Sequence, residues 1–166
     1  MRQLSICGQS QYDDSILPRY RNSACGPTTV HVILKYLNAS APSVNELYKQ
    51  LGGTKIGLFK WRLIHHLRQL YPTWDIRSCT LKEALQEIDA GHPVAMRFDR
   101  YFSLQWRHKT SAYAYHWVPL IGYELQHDEL VLIFHDNGSP SHPSKIQKAP
   151  LKNNDEILDF VKIMPK

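Results

Sequence analysis

Asn22-Ser23-Ala24-Cys25-Gly26-Pro27-Thr28-Thr29 opens an apolar run that continues through Leu37, and the two together specify the first core helix of the chain. Ser23 or a close neighbour can cap a helix, Pro27 suits its first turn, and Val30, Ile33, Leu34 and Leu37 recur at helical spacing. Cys25 is therefore expected at a helix N-terminus, where unsatisfied backbone N–H groups and a partial positive charge favour a thiolate over a thiol. A nucleophilic sulfur needs that environment. Gly26 beside it would let a substrate backbone come close and leave an N–H to meet a developing oxyanion. A small buried cysteine at the start of a core helix is the structural alternative.

Outward from this stretch, Ser43-Val44-Asn45-Glu46 has the capping-box pattern, and Gly52-Gly53 ends the helix it begins, with Leu47 and Leu51 inward. A third helix is expected from near Leu58 to Leu70, with Phe59, Ile64, Leu67 and Leu70 facing the core. Thr80-Leu81-Lys82-Glu83 repeats the capping box, and Gly91 closes the fourth helix before His92-Pro93. The pattern then changes. Residues 94–98, 113–123, 130–134 and 157–163 are rich in β-branched and aromatic side chains, with turn chemistry between them. The clearest loop runs from Gly138 to Ser144. Helices followed by closely connected strands predict an α+β fold, N-terminal helices packed on one side of a mainly antiparallel β-sheet.

A chain of 166 residues with 43% hydrophobic content suffices for one core, so a single domain over residues 1–166 is expected. The formal charge of +5 is spread among 15 acidic residues rather than gathered in a block, which predicts a solvated surface and no nucleic-acid partner. Cys7, Cys25 and Cys79 have neither the number of a disulfide framework nor the paired spacing of a metal site, so no metal or other cofactor is expected and a reducing compartment fits best. The N-terminus meets Gln9, Ser10 and Gln11 before an apolar run of signal-peptide length can form. No segment approaches the roughly 18 apolar residues of a membrane span. A cytoplasmic location follows as the expectation, with secretion after removal of a leader left open.

A thiolate nucleophile needs an imidazole to pair with it and to protonate the leaving group. His65 and His66 lie in a helix beside Arg62 and Arg68, His127 in a turn and His142 in the proline-rich loop. His116 differs, because it opens the strand His116-Trp117-Val118-Pro119-Leu120-Ile121-Gly122-Tyr123. The next strand runs into His135-Asp136-Asn137-Gly138. A hairpin loop centred on Gln126 sets Asp136 opposite His116; a shift of register brings His135 or Asn137 there instead. Asn137 is an alternative in its own right, since an amide can also orient such a histidine. Tyr101, Phe102, Trp106, Tyr113, Tyr115 and Trp117 cluster around this strand with Arg100, Arg107, His108 and Lys109. They make either a wall of a substrate groove or sheet packing beside a solvated loop, and Trp117 is the one most expected near the site.

Four segments in order carry a resemblance: Gln11-Tyr12; Ala24-Cys25-Gly26-Pro27-Thr28; Ala84-Leu85 through Gly91-His92-Pro93-Val94; and His116 to Tyr123 followed by Asp136. Together they resemble the bacteriocin-processing, double-glycine type of peptidase-like domain in the papain-like cysteine protease superfamily. The resemblance implies a papain-like fold, a peptide or protein substrate, attack by Cys25, proton transfer by His116 and orientation of His116 by Asp136. It also implies that Gln11 joins the backbone N–H of Cys25 in the oxyanion hole. The gap from Gln11 to Cys25 is longer than usual for the superfamily, so Gln9 competes for that role, and Asn137 stands where a proline is more usual. Glu46-Leu47-Tyr48-Lys49-Gln50-Leu51-Gly52-Gly53 itself resembles a double-glycine leader, although a glycine-terminated helix explains the same letters. Three functions remain in competition: a peptidase, an acyl transferase on the same architecture, and a catalytically silent peptide-binding module.

Overall fold

The computed structural model describes residues 1–101 and 113–166. Phe102, Trp106, Arg107, His108 and Lys109 lie outside the described residues. The chain forms β1 (Arg2–Gln3), α1 (Pro18–Arg21), α2 (Cys25–Tyr36), α3 (Val44–Gln50), α4 (Lys60–Leu70), β2 (Asp75–Cys79), α5 (Leu81–Asp89), β3 (Val94–Asp99), β4 (Tyr115–Gln126), β5 (Glu129–Asp136), β6 (Lys145–Pro150) and β7 (Leu158–Met164). The strands form one sheet in the order β2-β7-β3-β4-β5-β6, with β1 on β4, and every named pairing is antiparallel. This is the expected α+β architecture of helices on an antiparallel sheet.

Side chains alternate between two clusters, as a pleated strand requires. Ala95, Trp117, Val161 and Ile163 join Val30, Ile33 and Leu34 of α2, Leu47 of α3, and Leu63 and Leu67 of α4. Val94, Met96, Phe98, Val118 and Phe160 join Ala84 and Ile88 of α5. The fourth predicted helix therefore covers the other face of the sheet, and the helices do not all lie on one side.

Both capping boxes form, at Ser43 with Glu46 and at Thr80 with Glu83. Gly52 and Gly91 close their helices at φ 70° and 92°, a left-handed conformation that glycine adopts without a Cβ penalty. Leu47 and Leu51 are fully buried, which withholds the leader-like segment from any peptidase site. α2 begins differently from expectation: its N-cap is Ala24, with no side-chain cap. The Ser23 hydroxyl lies 2.8 Å from the Tyr48 hydroxyl instead, fastening α2 to α3. α4 starts at Lys60 and turns Leu63 and Leu67 inward; Leu70 is exposed, and Phe59 and Ile64 are only half-buried.

The β4–β5 hairpin also departs from the expected register. Its turn is His127-Asp128, both in left-handed conformation, with Gln126 opposite Glu129. Two such residues give the tight turn whose twist matches the flanking strands. A bulge follows between Leu120 and Gly122, and beyond it Leu120 faces Phe134. Continued, that register sets Asp136 opposite Val118, with His116 as its diagonal neighbour on the same face. In the ladders themselves His116 pairs with Phe98, and Asp136 with Lys145. The two residues meet across a diagonal, not as a directly opposed pair.

Candidate active site

Cys25 occupies the first position of α2, and the first helical hydrogen bond runs from Thr28 N–H to Ala24 O, 2.9 Å. Pro27, lacking an N–H, sits where none is needed. The N–H groups of Cys25 and Gly26 are thus left over by the helix. The backbone N–H of Gly26 and that of Trp117 both act to lower the Cys25 thiol.

His116 Nε2 lies 3.2 Å from Asp136 Oδ1. The other ring nitrogen is then the one available to the Cys25 thiol, whose ionisation the neighbouring His116 favours. Burial alone would push the Cys25 thiol up; the hydrogen bond and positive charge of His116, helped by the two backbone N–H groups, outweigh it and hold the thiol below its ordinary value. Burial would likewise lower His116, but the Asp136 and Cys25 hydrogen bonds and charges push it up to about 9. Asp136 is also opposed by burial, yet His116, the Tyr113 hydroxyl and the Gly138 N–H keep it below the usual carboxylate range. A thiol at the start of α2, an imidazole on β4 and a carboxylate on β5 thus influence one another electrostatically, with the imidazole and the carboxylate in direct contact.

Asn137, the alternative partner for His116, is used elsewhere. It is fully buried, and its Nδ2 lies 2.7 Å from Trp117 O and 3.0 Å from both Cys25 O and Thr29 Oγ1. It fastens the start of α2 to β4, fixing the distance between the thiol and the imidazole. His135, the other register alternative, has Nδ1 2.9 Å from Ser144 Oγ.

Gln11 is buried, and its backbone N–H donates to Asn137 O at 2.8 Å while its Nε2 donates to Arg21 O at 2.6 Å. One hydrogen of that amide remains. Gln9, two residues earlier, is half-buried. Burial raises the phenol of Tyr12, and the charge on Cys25 raises it further, so the Gln11-Tyr12 segment lies within electrostatic reach of the sulfur.

Two expected substrate contacts are corrected. Trp117 is fully buried, and its indole N–H donates to Leu58 O at 2.8 Å, so its ring belongs to the core under α2 and α4. Its neighbour in sequence is at the site because strand side chains alternate in direction. Gly26 faces Leu58: a Cβ there would stand 2.8 Å from Leu58 Cβ and Cδ2. On that side the missing side chain makes room for Leu58. Tyr115, another member of the aromatic cluster, also donates to Leu58 O, at 2.5 Å. Tyr113 is the member the sequence reading left without a role at the site. It stacks on the His116 ring at 4.8 Å between centroids.

Among the described residues no group of three or more His, Cys, Asp and Glu side chains is arranged to hold a metal ion, and no helix is long and apolar enough to cross a membrane. Cys7 is exposed, Cys79 half-buried, and all three cysteines are free thiols.

The sequence matches the model of the Peptidase C39-like family over residues 3–160. Among curated proteins nothing matches. Among solved structures, the peptidase domain of Streptococcus ComA, a bi-functional ABC transporter involved in a quorum-sensing pathway, superposes with a TM-score of 0.60 at 16% identity, covering 99% of this chain and 98% of that one. At that identity the likeness is one of fold.

Proposed function

The chain belongs to the Peptidase C39-like family, which supports a cysteine peptidase in general, and from that premise we propose that it cleaves peptide bonds through a Cys25-His116-Asp136 triad. The observation that carries the reading is the 3.2 Å contact of His116 with Asp136, together with a thiol at the N-terminus of α2 whose ionisation His116 favours. The Cys25 thiolate attacks the scissile carbonyl carbon, and the carbonyl π electrons move onto oxygen. The resulting oxyanion takes hydrogen bonds from the Cys25 backbone N–H and the remaining Gln11 amide hydrogen. Collapse breaks the C–N bond, and the His116 imidazolium gives its proton to the departing amine. Water, deprotonated by the now neutral His116, then attacks the thioester and releases the acid and the Cys25 thiolate. Asp136 holds the imidazole and stabilises its charged form throughout.

Activity on this scheme needs Cys25 ionised and His116 protonated. The rate rises with pH as the thiol ionises below its ordinary value, and falls as the imidazolium is lost through about 9. A peptide substrate and a cytoplasmic location are part of the proposal; the free thiols suit a reducing compartment. Incubation with a peptide library, followed by mass spectrometry with and without an added primary amine, tests the reaction class. Hydrolysis products that persist unchanged in the amine are expected. Amide products in their place would make the enzyme an acyl transferase, and no new products at all would favour a binding module.

A further inference from the structure

Asp136 presents two oxygens, and each has its own donor. His116 Nε2 lies 3.2 Å from Oδ1, while the Tyr113 hydroxyl donates to Oδ2, also at 3.2 Å. The Tyr113 ring lies over the imidazole with the planes 22° apart. It is held in place by Phe98, 5.0 Å away in β3, and by Phe134, 6.0 Å away in β5 with its ring edge-on. Tyr113 is therefore wedged between the imidazole and an aromatic wall rooted in the two strands that flank β4. The rotation of a carboxylate about its last bond is soft, so a second donor on the far oxygen fixes which oxygen faces the histidine.

We propose that Tyr113 is a positioning residue of this site, its ring holding the His116 imidazole in plane and its hydroxyl aiming the Asp136 carboxylate at His116. The proposal rests on the triad reading above. Tyr113 acts through Asp136 and His116 and touches no reacting atom. Among the described residues, the charged and titratable groups that face Tyr113 include His116 on β4 and Asp136 on β5, with Lys148 on β6 lining the same cavity.

The test compares wild-type protein with Tyr113→Phe, which keeps the ring and removes the hydroxyl. Tyr123→Phe serves as a matched control, because the Tyr123 hydroxyl donates to an exposed carboxylate, Asp89, at 2.8 Å far along β4. Two quantities are followed: the pH profile of Cys25 alkylation by iodoacetamide, and the titration of His116 by NMR. With the carboxylate free to turn, the imidazolium is less stabilised and so, in turn, is the thiolate. In Tyr113→Phe the thiolate then appears at higher pH, His116 loses its proton at lower pH, and alkylation near neutrality slows by about tenfold, the scale of losing one hydrogen bond to a part-buried charged group. Tyr113→Leu, lacking the stack as well, goes further in both directions.

Unchanged profiles in a folded Tyr113→Phe, or the same shifts in Tyr123→Phe, overturn the proposal. A wild-type Cys25 with no activation at all removes the triad reading and the Tyr113 proposal with it. An activated wild type whose profile Tyr113→Phe leaves unmoved removes the Tyr113 role alone.

Discussion

A Cys25→Ala variant loses peptide cleavage by about 10³-fold or more while remaining folded. Without the sulfur no thioester forms, and only binding and the oxyanion donors remain to accelerate the reaction. The fold tolerates the change because the other ties between α2 and β4 survive. Asn137 reaches the carbonyls of residues 25 and 117 and the Thr29 hydroxyl, and none of these bonds uses the thiol. A destabilisation of about 1 kcal/mol, shifting the melting temperature by roughly 2–4 °C in a chain of this size, covers the loss of one small buried group. His116 loses the thiolate but keeps Asp136, so its proton affinity falls without collapsing. Cleavage at an undiminished rate in Cys25→Ala would remove Cys25 from the chemistry.

Asp136→Asn has the second largest expected effect, a fall in turnover of about 10²- to 10⁴-fold. The asparagine fits the same space but carries no charge, so it can hold the ring without stabilising the imidazolium. The sign of the accompanying pH change follows from His116. Its proton affinity is raised, to about 9 from the ordinary 6.5, by partners that include Asp136. Removing that charge lowers it, and the alkaline limb of activity moves to lower pH. The same group contributes stability that is fully present below 6.5 and is lost as pH rises through about 9; in Asp136→Asn that loss sets in earlier. A pH–activity series with parallel melting curves measures both. An alkaline limb that stays at its wild-type position would show that Asp136 does not govern His116.

Much of the framework is legible in the sequence where the signal is local. Ser43 with Glu46, and Thr80 with Glu83, specify two helix starts because a capping box is a reciprocal bond between residues three apart. The central strands are equally plain, being rich in β-branched, aromatic and other apolar residues. The edge strands β2 and β6 escape notice for the opposite reason. Asp75-Ile76-Arg77-Ser78-Cys79 and Lys145-Ile146-Gln147-Lys148-Ala149-Pro150 carry the charges, and in one case the proline, that protect a sheet edge from further pairing. On α4 the spacing identifies Leu67, which is fully buried, but not Leu70, which tertiary context leaves exposed.

At the site, chemistry singles out Cys25, His116 and Asp136 in the sequence, but the directly opposed pairing expected of the last two differs from the register that forms. A bulge and a turn at His127-Asp128 leave them diagonal, and the contact forms all the same because diagonal neighbours share a face. Asn137 and Asp136 are adjacent letters that no local rule could separate. Only the sheet geometry sends one side chain under α2 and the other to His116. Trp117 misleads in the same way, since adjacency to His116 in a strand means the opposite face. The Tyr113 stack needs β3 and β5 to build its wall, a long-range arrangement with no sequence period.

The pH dependence of iodoacetamide alkylation, followed at each cysteine in wild-type protein and in His116→Ala, tests the thiolate–imidazolium pair most directly. Cys79, which burial and nearby acidic side chains push up to about 11, supplies an unreactive internal reference, and exposed Cys7 an accessible one. The account predicts that Cys25 reacts well below the roughly 8.5 of a free thiol, ahead of both references, and that His116→Ala abolishes this advantage. A Cys25 that reacts no faster than Cys7 and Cys79, and that His116→Ala leaves unchanged, would contradict it.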